Sequence, residues 1–244
     1  MSRVLLVSFS GGNPAIYRAL NFECEDVLLD VVPGAVCYRA PAHEGIELPR
    51  HQRLHKLLGL FRGKPKARVP DEFEGPIDLV VVNCMTSYDL RYVPGLRDLL
   101  ERAGKSVCYI TEAWSSRVPR YASDELRQFD AIASGCASSV KPIAEAVDRP
   151  TFYCPPAVDA PLWCAHRPMP DRVIDVYLFG RQYQPWHEAL REMSRDEHIF
   201  YNFDTVRGTQ PFSMQDHRDK FRELNWRSKI NIVNIAKINK AAER

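Results

Sequence analysis

Long apolar runs, paired cysteines and net charge are all scarce in this chain, and each scarcity removes a class of protein. The longest apolar stretches, such as Leu79–Val82 and its neighbours, fall far short of the ~20 residues that span a bilayer, so no transmembrane helix is expected. The N-terminal VLLVSF is also too short for a signal-peptide core, and it leads into a turn rather than a cleavage site. The seven cysteines (Cys24, Cys37, Cys84, Cys108, Cys136, Cys154, Cys164) are odd in number, scattered and without a C-x-x-C pair. That argues against a disulfide framework and against a structural zinc site, and it places the chain in a reducing cytoplasm. A formal charge of +2 and a pI near 8.1 give no field that would make nucleic acid or an anionic membrane the main partner.

What remains is an ordinary globular composition, 45% hydrophobic and 26% charged over 244 residues, enough for one large core or two smaller ones. Apolar β-rich runs alternate with helical patterns. Strands are expected at Arg3–Phe9, Asp26–Val32, Ile77–Cys84, Ser106–Thr111, Ala131–Ser134 and Thr151–Cys154. Between them, helices are expected at Pro49–Phe61, Val93–Ala103, Ser123–Gln128 and Ser139–Val147, and Pro14 is placed to start another. This alternation predicts a doubly wound parallel sheet. It stops at CPPAVDAPLWCAHRPMP, Cys154–Pro170, where five prolines in seventeen residues read as a linker. A second α/β series follows: strands at Val173–Phe179, Ile199–Phe203 and Lys229–Ile235, helices at Trp186–Ser194 and Met214–Asn225. The expectation is therefore α/β, with two Rossmann-like domains of parallel sheets flanked by helices. The first covers 1–160, a linker 161–172, and an incomplete second domain 173–244.

The stretch IDVYLFGRQYQPWHEALREM, Ile174–Met193, climbs through an apolar strand, breaks at Gly180, offers Arg181 and restarts as a helix near Pro185. A bare glycine, an arginine and a helix N-terminus together suit a diphosphate. The alternative is a plain turn with Arg181 in solvent. His187, one turn into the helix, is either a phosphate or acceptor contact or a filler between helix and sheet. The first turn, SFSGGNP, lacks the third glycine of G-x-G-x-x-G and any G-K-[ST], so neither a dinucleotide fold nor a P-loop is assigned. His51 and His55 stand four apart without the glutamate of H-E-x-x-H, and no metal site is assigned to them. Lys64, Lys66 and Arg68 read as a solvated surface, with an anionic acceptor or a lipid headgroup as the alternative contact.

The order of a Rossmann-like first domain, a crossover reading Pro155-Pro156-Ala157-Val158-Asp159 and a second domain opening with DVYLFGR resembles the two-Rossmann-domain glycosyltransferases. The nearest type is the group-1-like branch that includes spore-protein glycosyltransferase-like proteins. Its crossover commonly reads P-x-G-V-D with an aromatic soon after; here Ala157 replaces the glycine and Trp163 supplies the aromatic. The segments IDVYLFGRQYQPWHEAL and SKINIVNIAKIN are similar to that branch as well. The resemblance implies a nucleotide-sugar donor bound mainly by the second domain, an unidentified acceptor, and reaction in the interdomain cleft. No cofactor beyond the donor substrate is implied. The family's acidic pair for the donor would fall beyond Arg244, so the second domain is read as truncated. A glycine-containing loop after the first strand carries Gly11 and Gly12 across as donor-side candidates.

There is no D-x-D motif, so a metal-independent transfer is expected, with the leaving diphosphate stabilised by protein groups. If the reaction inverts, Glu112 and Asp89, each following an expected strand, are the candidates for the catalytic base. Their alternative role is as helix caps or solvated loop residues. A non-catalytic α/β module lacking a complete donor pocket is the competing reading of the whole chain.

Overall fold

The computed structural model describes residues 3–9, 19–39, 75–93, 95–113, 123–156, 158–164, 168–180, 183–204 and 214–233. The expected turn at Ser10–Asn13, the helix at Pro49–Phe61 and the basic loop at Lys64–Arg68 lie outside them. The described residues form two units, one ending at Asp159 and one starting at Ala160. The protein is α/β and Rossmann-like, with a six-stranded parallel sheet in the first unit and a three-stranded parallel sheet in the second. Among the described residues no helix is long and apolar enough to cross a membrane.

In the first unit the chain runs β1 (Val4–Ser8), α1 (Ala19–Val31), β2 (Val36–Arg39), β3 (Ile77–Cys84), a 3-10 turn (Ser87–Tyr92) and α2 (Leu96–Glu101). Next come β4 (Ala103–Ile110), β5 (Ala131–Ser134), α3 (Val140–Val147) and β6 (Thr151–Tyr153). The sheet order is β2-β1-β3-β4-β5-β6. Period-two alternation sorts its side chains onto two faces. One face carries Leu5, Val7, Val80, Val82, Cys108 and Ile132, which pack with Leu96 and Leu99 of α2 and Ile143 and Val147 of α3. Leu5, Val7, Val80 and Val82 expose no surface, and each such side chain contributes roughly 1.5–3 kcal/mol by leaving water. The opposite face carries Leu6, Ser8 and Asn83 and receives α1.

One expectation fails here. Asp26–Val32 is not a strand: its residues through Val31 form the second half of α1, and the strand follows at Val36–Arg39. A short apolar run serves either structure, and the arbiter is its context. Asn21 and Glu25, four apart and both fully buried, form a helix face turned to the sheet. The helix then stops at Pro33-Gly34, where Gly34 takes the left-handed φ of 79° that a tight exit requires. The helix expected over Val93–Ala103 is shorter, Leu96–Glu101, because Ala103 already belongs to β4.

The second unit contains α4 (Ala160–Trp163), β7 (Ile174–Phe179), α5 (Gln184–Asp196), β8 (Tyr201–Asp204), α6 (Met214–Trp226) and β9 (Ser228–Val233). The sheet order is β8-β7-β9, with β7 central. Val176 and Leu178 face α5 through Leu190, while Tyr177 and Phe179 face Phe221 of α6. A central strand apolar on both faces is what two flanking helices demand. The proline-rich stretch is not all linker: its APLW forms α4, with Pro161 in the first turn, where a missing N–H leaves nothing unpaired. Trp163 then packs edge-on against Phe221 at 5.2 Å, and its carbonyl accepts the Trp226 indole N–H at 3.1 Å.

Aspartates clip both sheets near their amino ends. Asp78 accepts the Arg3 amide at 2.7 Å, Asp130 the Ser106 amide at 2.8 Å, and Asp175 both the Phe200 amide at 2.8 Å and the Lys229 ammonium at 2.6 Å.

Candidate functional site

Each sheet first adds a strand on one side and then continues on the other, so the direction of winding reverses between β1 and β3, and again between β7 and β9. In open α/β sheets ligands bind outside the carboxyl ends of the strands at such a reversal. The residues there are Ser8 and Asn83 in the first unit, and Phe179, Gly180 and Val233 in the second.

In the first unit the reversal holds a buried polar cluster. Arg39, Ser8 and Asn83 stand side by side in register across the last positions of β2 and β1 and the penultimate position of β3. Glu25 of α1 lies over them with no exposed side-chain surface, accepting the Ser8 hydroxyl on Oε1 and the Arg39 Nε–H on Oε2 at 2.9 Å. That bond raises the Arg39 guanidinium further above its already high ordinary pKa. Cys37 lies two residues back along β2, on the same side of the strand as Arg39. Burial first, and the neighbouring carboxylate second, push its thiol up to about 12. One turn earlier on α1, the Asn21 Nδ2 donates to Asn83 Oδ1 at 3.0 Å while Asn83 Nδ2 donates to the Asn21 carbonyl at 3.1 Å. Asn21 Oδ1 is buried and meets no donor among the described residues. Tyr109 continues the row on β4, its hydroxyl pKa raised by burial and then by Cys154 and Cys24.

None of Ser8, Asn21, Glu25, Arg39 or Asn83 stands out in the sequence as a site. The available signal is that VLLVS and LVVVN each end an apolar run on a polar residue, and that Asn21 and Glu25 share a helix face.

The two candidate residues, Glu112 and Asp89, both bond to the backbone of Met85 just beyond β3, Asp89 through its carboxylate and Glu112 through its main-chain amide. The Met85 N–H donates to Asp89 Oδ2 at 2.9 Å, and the Met85 carbonyl accepts the Glu112 amide at 2.8 Å. Asp89 Oδ2 also accepts the Thr86 amide at 3.0 Å, so this buried carboxylate caps the 3-10 turn. Glu112 is half-buried, two residues past the end of β4. Its loop is set by Gly135, where an added Cβ would come within 2.3 Å of the Thr111 carbonyl oxygen. Only a glycine lets the end of β5 approach that closely.

In the second unit Gly180 follows β7 directly, with φ of 81°. A Cβ built there meets nothing within 4 Å among the described residues, so the glycine serves the backbone conformation and has open space beside it there. Helix α5 begins four residues on, with Tyr183 as its cap and a proline in its first turn. Trp186 is half exposed and stands edge-on to Tyr183 at 5.7 Å. His187 is placed by packing: it is buried, its Nδ1 shares a hydrogen bond of 2.9 Å with the Tyr201 hydroxyl, and its ring meets Phe203 edge-on at 4.6 Å. Arg181, Gly11 and Gly12 lie outside the described residues.

Among the described residues no group of three or more His, Cys, Asp or Glu is arranged to hold a metal ion. No family model matches the chain, and no curated protein matches it.

Proposed function

We propose that this protein is a glycosyltransferase that moves a sugar from a nucleotide-sugar donor to an acceptor hydroxyl. The donor diphosphate belongs at the β7 reversal and the acceptor at the β1/β3 reversal. The observation that carries the reading is Gly180: a left-handed glycine with open space beside it, at the carboxyl end of a central strand and just ahead of a helix. Backbone N–H groups and the positive end of α5 then meet the diphosphate, with Arg181 supplying the paired charge.

In the transfer, the bond between the sugar anomeric carbon and the diphosphate oxygen breaks as the acceptor oxygen bonds to that carbon. The electron pair leaves with the diphosphate, whose growing charge Arg181 and the helix amides stabilise. The acceptor proton passes to Glu112 if the anomeric centre inverts, or to a leaving-phosphate oxygen if it is retained. Asp89 is committed to two backbone amides, so Glu112 is the carboxylate to test first.

A second reading, a non-catalytic α/β module that binds a ligand or partner, draws on Asp89 and His187, both engaged in capping and packing. One experiment separates the two. The full chain is incubated with a panel of nucleotide sugars, and release of nucleoside diphosphate is followed together with equilibrium binding. Release that falls with Arg181→Ala supports the enzyme. Binding without release supports the module, and the absence of both removes the donor site.

A further inference from the structure

We infer that Arg39, held by the buried Glu25 at the carboxyl end of β2, is a receptor for an oxyanion, a phosphate or carboxylate carried by the acceptor. The assignment to the acceptor rests on the glycosyltransferase reading; the oxyanion site does not.

A buried carboxylate is costly unless donors surround it. Glu25 has one on each oxygen: the Ser8 hydroxyl on Oε1 and the Arg39 Nε–H on Oε2. Had Arg39 been present only to neutralise Glu25, the two-pronged guanidinium edge would be the stronger way to meet it. Here the hydrogen bond uses Nε, and the Arg39 side chain remains 51% exposed. Among the described residues its two terminal amino groups make no hydrogen bond. The planar fork is thus anchored from behind and presented outward, the arrangement that suits two oxygens of one oxyanion. Its place is the other half of the argument. Arg39 is in register with Ser8, whose other neighbour is Asn83, so the fork stands beside the reversal point, where ligands of such sheets bind. Asp26, a more distant acidic neighbour, subtracts from the local field. Fork geometry rather than net charge therefore carries the affinity, and Glu25 is the positioning residue.

The test uses the full chain, calorimetric titration with inorganic phosphate and with acetate, and sodium chloride at matched ionic strength as reference. Either oxyanion is expected to bind more tightly than chloride, the tighter of the two assigning the phosphoryl or the carboxyl class. Arg39→Lys keeps a cation beside Glu25, and hence the fold, but loses the fork; about a tenfold loss of affinity is expected. Glu25→Gln gives the sharper readout. Removing a negative charge beside the site strengthens anion binding if charge alone matters, and weakens it if Glu25 aims the fork. A weaker Glu25→Gln complex, with loss of the slowly exchanging Arg39 Nε–H signal in nitrogen-edited NMR, supports the proposal. Binding no tighter than chloride, Arg39→Lys equal to wild type, or a tighter Glu25→Gln complex overturns it. Oxyanion binding needs no donor, so a failure of sugar transfer leaves this result standing, and the converse also holds.

Discussion

Replacing Gly180 with alanine separates a turn glycine from a phosphate-binding one. Gly180 has φ of 81°, a conformation that costs an L-residue about 1–2 kcal/mol. The alanine also restricts the unfolded chain, which returns roughly 0.4–1 kcal/mol. Among the described residues an added Cβ meets nothing within 4 Å, so no clash with them adds to the balance. The net loss is therefore about 1 kcal/mol, or roughly 4–8 °C in Tm for a domain of 60–100 residues. Both readings of Gly180 share that loss. They part on ligand binding: the methyl enters the open space that the diphosphate would fill, and a tenfold weaker complex corresponds to about 1.4 kcal/mol. Gly180→Asn sharpens the contrast, because asparagine tolerates the left-handed region better than alanine while presenting a larger side chain. The expected order of Tm is wild type, Asn, Ala; the expected binding of uridine, guanosine or adenosine diphosphate is wild type well above both variants. Calorimetric titration and a melting curve suffice. If both variants bind the diphosphates as wild type does, the backbone does not touch the ligand and the phosphate role of Gly180 is refuted.

Gly135→Ala sets a Cβ 2.3 Å from the Thr111 carbonyl and forces the strand ends apart. A loss of about 1–3 kcal/mol is expected in a denaturant titration, with faster hydrogen exchange at the Glu112 amide, because overpacking strains the backbone. Cys24 and Cys37 are held as neutral thiols up to about 12, chiefly by burial, against an ordinary value of 9.0. The unfolded chain ionises them first, so stability falls as pH rises from 9 toward 12; a Cys24→Ala, Cys37→Ala double variant should show a shallower decline by melting temperature. Asp175 is held below the usual carboxylate range by the Lys229 ammonium and then by the Phe200 amide. Its contribution is present above the ordinary aspartate pKa of about 3.9 and lost as pH falls through the lowered value. The Tm gap between wild type and Asp175→Asn should therefore close below about pH 4.

The strands were legible where a run was apolar on both faces and bounded by turns. Ile77–Cys84 and Ala131–Ser134 match their observed limits, and Ile174–Phe179 differs by one residue from the expected start. Asp26–Val32 misled because VLLDVV has strand composition, whereas its structure is decided by Glu25 immediately before it and Asn21 one turn before that, polar residues that must reach partners on the sheet. The same cause hid the cluster at the first reversal. Its members come from α1, β1, β2 and β3, with Asn21 and Asn83 62 residues apart and Ser8 farther still from Asn83, and no local spacing announces them. The turn at Gly180, by contrast, was readable as local geometry, because strand, glycine and helix start are contiguous. Asp89 and Glu112 were placed rightly beyond their strands, but that Met85 links them is a tertiary fact.

The shared strand order bears on how the chain acquires its structure. In both sheets the first strand made is an inner one, and its second neighbour arrives much later: Arg3 meets Asp78 across 75 residues, and Leu178 pairs with Ile232. As the chain leaves the ribosome, β1 therefore waits with an apolar edge open until β3 is synthesised, about four seconds or more at 5–20 residues per second. Parallel pairing at such separation closes long loops before any contact is gained, so folding should be slow and sensitive to translation rate. Protease resistance of the nascent first unit would begin to rise at ribosome pauses long enough past Cys84 for β3 to have cleared the exit tunnel, rather than at earlier ones.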